Sequence, residues 1–172
     1  HSAAAVHLMA EAERRAYADR AVHMGDPDFW KVPIKTLTDS LYIQSRMADF
    51  KADTVSSSGK ITAGKIKESE ETTHFSVVDR EGNAVSVTTT LNDSYGSRCV
   101  VAGAGFILNN EMDDFSAKPG APNLYGAVGG KANAIQPKKR PLSSMTPTIV
   151  TKAGKNWLIV GTPGGTTIPT SV

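Results

Sequence analysis

The sequence predicts an α+β fold, with helices gathered in the first part and antiparallel strands in the second. Three observations carry this. Apolar residues recur at helical spacing over residues 3–24, Val/Thr/Phe-rich runs flank short polar turns after residue 72, and a Ser/Gly/Lys-rich stretch without sustained period lies between. At 172 residues, 40% apolar and 21% charged, the chain is long enough for one ordinary core and has the composition of a soluble globular protein. No run of about 18 apolar residues offers a membrane span. A net charge of +2, with scattered basic residues, argues against a nucleic-acid surface.

The first helix is expected over residues 3–24. Ala5, Leu8, Met9, Ala12 and Ala16 share one face, Glu11, Glu13, Arg14 and Arg15 can occupy the wetter side, and Gly25 and Pro27 stop it. The Pro-punctuated "GDPDFWKVP" leads to a second helix from Asp39 to about Phe50, with Thr38 as N-cap and Ile43, Met47 and Phe50 on one side. "KADTVSSSGKITAGKIKESEE", Lys51 to Glu71, reads as a mobile linker. The chain therefore divides into a helical part, 1–71, ending in that linker, and a β-rich part, 72–172.

The first strand pair is aligned by its turn. Thr73–Asp79 and Asn83–Leu91 flank "DREGN", and a hairpin centred on Glu81 sets Thr90 across from Thr72, with Asn92 two positions on and facing the same side. "GAGFILNNEMDDF" joins a short apolar strand to an acidic turn. "KPGAPNLYGAVGGKANA" is a long Gly/Pro loop, either filler or a lid. "PTIVTKAGKNWLIVGTPGG" is a second hairpin, turning at Lys152 to Lys155.

Chemistry is suggested at four places. In "ESEETTHFSVVD" an acidic run meets two threonines that open a strand; this is either an exposed loop entering a sheet or a cleavage site at Glu71–Thr72. A threonine at a new N-terminus carries its own base, because its α-amine, with a pKa of about 7.7 to 8.0, lies beside the hydroxyl. In "GTPGG", Gly164 and Gly165 are either a common turn or a pair of backbone donors forming an oxyanion hole. The acids of "EMDDF" (Glu111, Asp113, Asp114) can hold an ammonium, and the hydroxyls and amides of "PLSSM" (Ser143, Ser144) a carboxylate. An amino acid presents both groups. His1, His7, His23 and His74 lack metal-ligand spacing, and Cys99 is alone, so a metal site and an internal disulfide are set aside.

Together "TTHFSVVD", "NAVSVTTTLN", "LNNEMDDFS", "NAIQPKKRPLSSMTPTIV" and "GTPGG" resemble the central part of a γ-glutamyltranspeptidase, an N-terminal-nucleophile hydrolase, and the likeness extends upstream through "MAEAERRAYADR". The resemblance implies part of an αββα four-layer sandwich and a precursor that cuts itself between Glu71 and Thr72 into a large and a small subunit. It implies Thr72 as nucleophile and Thr90 as the threonine that hydrogen-bonds it. Asn92, Glu111 and Asp114 would bind the donor's α-amino group, Ser143 and Ser144 its α-carboxylate, Gly164 and Gly165 the oxyanion, and Tyr125 would belong to the lid. The expected donor is glutathione or another γ-glutamyl compound, and the acceptor water, an amino acid or a peptide. No metal or organic cofactor is implied, and the family expectation for location is the periplasm or cell exterior.

The chain departs from the family pattern in two respects. It holds only the last 71 residues of what resembles the large subunit, without the arginine that grips the substrate carboxylate, and it stops at Val172 where family members continue. Thr166–Thr167 stand where many members read Ser-Arg. A related acylase, acting on cephalosporins or poly-γ-glutamate, and a silent unprocessed domain are the alternative readings.

Overall fold

The computed structural model describes residues 2–57 and 72–172. They form a mixed α and β structure in two compact units. One is drawn from residues within His1–Lys65 together with Phe115–Leu142, the other from residues within Ile66–Asp114 together with Ser143–Val172.

In the first unit, helix α1 spans Ala3–His23, and the Ser2 hydroxyl caps it by accepting from the Ala5 amide at 3.2 Å. Its buried side is not the apolar one. Glu11 and Arg15 are buried, whereas Val6, Leu8 and Met9 stand about half exposed. The reason is a network that the following segment brings over the helix. Arg15 donates to Glu11 at 2.7 Å and to Asp49 at 2.7 Å, and the Ser56 amide donates to Glu11 at 3.1 Å. Paired and hydrogen-bonded charges can be buried where a lone one cannot. Arg15, then Ser56, hold the Glu11 carboxyl down to about 2.

A short helix, α2 (Ile34–Leu37), precedes α3 (Ser40–Arg46). Asp39, not Thr38, caps α3, accepting from the amides of Leu41 and Tyr42 at 3.0 and 3.1 Å. Thr38 is occupied at the end of α2, donating to the Ile34 carbonyl at 2.8 Å. Arg46 reaches back to Asp19 on α1 at 3.1 Å. The stretch that opens the expected linker is tied down, since the Lys51 carbonyl meets His7 Nε2 at 2.9 Å and Ser56 meets Glu11. Glu71 and the other residues of 58–71 lie outside the described residues.

Residues 115–142 pack with these helices. Gly130 donates its amide to the Ala21 carbonyl at 2.8 Å. The buried Lys139 ammonium donates to the carbonyls of Ala132 and Ala134 at 2.8 and 2.9 Å. The Gly/Pro loop is an ordered irregular hairpin, its Asn123 side chain accepting from the amides of Tyr125 and Ala127. Tyr125 and Phe115 are buried in this unit.

The second unit is built on two antiparallel hairpins. Strands β1 (Thr72–Val78) and β2 (Ala84–Thr90) pair without a bulge, Thr72 opposite Thr90 and Val78 opposite Ala84, in the register expected from the turn. Strands β3 (Thr148–Lys152) and β4 (Lys155–Val160) join through Ala153–Gly154, both at positive φ, and Trp157 is the extra residue of a bulge. The hairpins meet where Ser86 donates to the Val160 carbonyl at 3.1 Å and Asn156 to the Gly82 carbonyl at 2.8 Å. The terminal helix α4 (Ile168–Ser171) buries Ile168.

Candidate active site

Thr72 is the first residue of β1 and Thr90 the last of β2, so their side chains stand together at the open end of the hairpin. Alternation along the strands puts His74, Thr88 and Ser86 on the same face. His74 was not anticipated from its sequence context. One ring nitrogen meets Thr88 Oγ1 at 2.8 Å and the other Ser76 Oγ at 3.1 Å.

β2 ends at Thr90, one residue before the expected strand end at Leu91. It stops there because Asn92 takes a left-handed φ of 74°. Its amide then turns back to donate to Thr90 Oγ1 at 2.9 Å, and its buried side chain donates to the Asn110 carbonyl at 3.2 Å. Asn110 answers twice, donating its amide to the Leu91 carbonyl at 3.1 Å and accepting from the Asp93 amide at 2.9 Å. This clasp secures the next residues, the 3₁₀ turn Glu111–Asp114, to the end of the hairpin that carries Thr72.

Within that turn the Glu111 carboxyl is pushed up to about 7, first by burial and then by its hydrogen bond with Asp114 and the repulsion of that charge. Two acids held this close resist ionising together. A bound ammonium would relieve them. Asp113 lies in the same turn.

Ser143 and Ser144 precede β3 in irregular backbone. Ser143 Oγ accepts from the Met145 amide at 3.0 Å, and the Ser144 carbonyl accepts from Thr146 Oγ1 at 3.1 Å. After β4, Gly164 takes φ 143° and Gly165 φ 57°, conformations that L side chains rarely adopt. The Gly164 carbonyl is turned into the following 3₁₀ turn, where the Thr167 amide and hydroxyl donate to it at 3.2 and 2.8 Å. Tyr125 belongs to the other unit, buried there.

The family model for gamma-glutamyltranspeptidase matches residues 1–172. The chain belongs to the gamma-glutamyltranspeptidase family. Among curated family relatives it is 56% identical to the glutathione hydrolase proenzyme of Escherichia coli (strain K12), over 99% of this chain and 30% of that one. The glutathione hydrolase proenzyme of Pseudomonas aeruginosa is likewise 56% identical, over 100% of this chain and 30% of its own. The chain thus spans about a third of the length of these gamma-glutamyltranspeptidase relatives. Among solved structures, an alanine mutant of the Helicobacter pylori gamma-glutamyltranspeptidase superposes with a TM-score of 0.56 at 69% identity, covering 58% of this chain and 54% of that one. The Pseudomonas nitroreducens gamma-glutamyltranspeptidase complexed with L-DON superposes with a TM-score of 0.56 at 64% identity, over 58% and 51%.

Proposed function

We propose that the protein to which this chain belongs is an autoprocessed γ-glutamyltransferase and glutathione hydrolase, with Thr72 as its nucleophile. The observation that carries this reading is the Thr72–Thr90 pair at the open end of the first hairpin, joined through Asn92 and Asn110 to the Glu111–Asp114 turn. A nucleophile, a hydroxyl beside it and a cation-seeking acid pair are thereby gathered on one piece of backbone. The named relatives, glutathione hydrolase proenzymes, support the same reading.

The chemistry proceeds in two rounds. In the precursor, Thr72 Oγ attacks the Glu71 carbonyl, the peptide C–N bond breaks, and water hydrolyses the resulting ester, leaving Thr72 with a free α-amine. In turnover, that amine takes the hydroxyl proton as Oγ attacks the γ-amide carbon of the donor. Negative charge gathers on the carbonyl oxygen, where the Gly164 and Gly165 amides stabilise it. The amide C–N bond breaks, the proton passes to the leaving amine, and a γ-glutamyl ester of Thr72 remains. Water or an acceptor amine resolves it.

Glu111, Asp114 and Asn92 hold the donor's α-ammonium, Ser143 and Ser144 its carboxylate, and the Tyr125 loop is the lid. Residues 1–71 close the large subunit and residues 72–172 open the small one, within an αββα sandwich of a periplasmic or extracellular enzyme. A related acylase activity is the second reading, favoured by 39% identity to the Acylase ACY 1 proenzyme of a Pseudomonas species over 93% of this chain and 26% of that one. Rates on γ-glutamyl anilides against acylated β-lactams separate the two.

The test is Thr72→Ala in the full-length protein. It is expected to stay a single polypeptide and release no glutamate from glutathione, while the parent matures into two pieces and releases glutamate. A variant that still matures and still releases glutamate overturns the reading.

A further inference from the structure

We infer that His74 is a positioning residue for the oxyanion loop: its imidazole is the seat on which Gly161 rests, and that seat sets where Gly164 and Gly165 present their amides. The inference rests on the acyl-transfer reading above and extends it to a residue that touches neither substrate nor nucleophile.

Gly161 begins the "GTPGG" segment as β4 ends. It does not take a positive φ, so conformational freedom is not why a glycine stands there. Space is the reason. A Cβ on Gly161 would lie within 2.8 Å of the His74 ring atoms Cε1, Nδ1 and Nε2, far inside van der Waals contact. The backbone of the loop therefore lies directly on the imidazole.

The ring cannot simply swing aside to make room. Thr88 Oγ1 on β2 engages Nδ1 at 2.8 Å, and Ser76 Oγ on β1 engages Nε2 at 3.1 Å. In either neutral tautomer one nitrogen donates and the other accepts, and both hydroxyls can rotate to suit. His74 thus bridges the two strands of the first hairpin and presents a fixed surface to the second. It sits two residues after Thr72 on the same face of β1, so the seat and the nucleophile share one rigid strand.

Transmission to the oxyanion amides is short. Only Thr162 and Pro163 separate Gly161 from Gly164, and the pyrrolidine ring fixes φ at Pro163. A shift of the loop at Gly161 is therefore passed on to Gly164 and Gly165. Catalytic geometry is steep in such shifts, a displacement of about 1 Å costing on the order of 10²-fold in rate.

The experiment compares Gly161→Ala, His74→Ala and the double variant in the full-length protein, beside wild type and Thr72→Ala, with γ-glutamyl anilide as probe. Gly161→Ala is expected to lower kcat about 10²-fold with KM changed less than about threefold. His74→Ala vacates the ring's volume, so the double variant is expected to regain about tenfold in kcat over Gly161→Ala. A role confined to general stability would lower the matured amount of each variant and would produce no such regain in kcat per matured enzyme. The matured fraction on denaturing gels is the second readout, with Gly161→Ala slow to mature and the double variant faster.

A Gly161→Ala variant with near wild-type kcat overturns the inference. So does a double variant no better than Gly161→Ala in both readouts. Wild-type activity together with a dead Thr72→Ala variant assigns either failure to His74 alone, whereas an active Thr72→Ala variant rejects the underlying reading first.

Discussion

Arg140 grips the buried carboxylate of Asp26 with its backbone amide at 2.9 Å, its Nε at 3.0 Å and a guanidinium Nη2, and extends to Asp28 at 2.6 Å. The two residues lie on opposite sides of the Glu71–Thr72 bond in sequence. Arg140, by hydrogen bond first, holds the Asp26 carboxyl well below the usual carboxylate range. A depressed carboxylate stabilises the fold above its unfolded pKa, near 3.8, and the stabilisation is lost as pH falls through the lower folded value. Arg140→Ala is expected to lower the melting temperature at neutral pH by several degrees and to flatten the acid limb of an unfolding titration. An unchanged acid limb would show that the pair contributes nothing.

Glu111 shifts in the opposite direction, and so does its pH dependence. A carboxyl raised to about 7 stabilises the folded state below its unfolded value of 4.5, and this is lost as pH rises through about 7. An ammonium needs the ionised form. Donor binding is therefore expected to tighten as pH rises through about 7 and to release a proton, measurable by calorimetry in buffers of different ionisation enthalpy. Glu111→Gln is expected to abolish that proton release.

Thr90 faces Thr72 in register and is held by the Asn92 amide. Thr90→Val keeps the strand shape and removes the hydroxyl, and is expected to lower kcat on the order of 10²-fold, as for misplacing the nucleophile that this hydroxyl orients. Thr90→Ser is expected to keep most of the rate. Steady-state kinetics on a γ-glutamyl anilide check both.

Gly164 occupies φ 143°, and an added Cβ would also press on Thr167 Oγ1 at 3.3 Å. Gly164→Ala is expected to lower kcat on the order of 10²- to 10³-fold, the range for removing one oxyanion donor, with a much smaller change in KM. A rise in KM with kcat preserved would instead assign the glycine to ground-state binding.

The first hairpin was legible in the sequence because turn length and strand alternation are local. They set Thr72 against Thr90 without reference to the rest of the chain. The buried Glu11–Arg15 pair was not, because helical periodicity places charges outward unless a partner arrives, and here Asp49 and Ser56 arrive from a later segment. The left-handed backbone of Asn92 was not legible for a related reason. Its left-handed turn is held by Asn110, which no strand pattern announces. His74 depends on Gly161, on the second hairpin, and its role shows only once both are folded.

The most direct measurement is mass spectrometry of the full-length protein quenched in acid during turnover of a γ-glutamyl donor. A downstream polypeptide beginning Thr-Thr-His-Phe-Ser, with a γ-glutamyl group esterified to Thr72, is expected. A polypeptide that begins elsewhere, or an adduct on any other residue, would contradict Thr72 as the nucleophile.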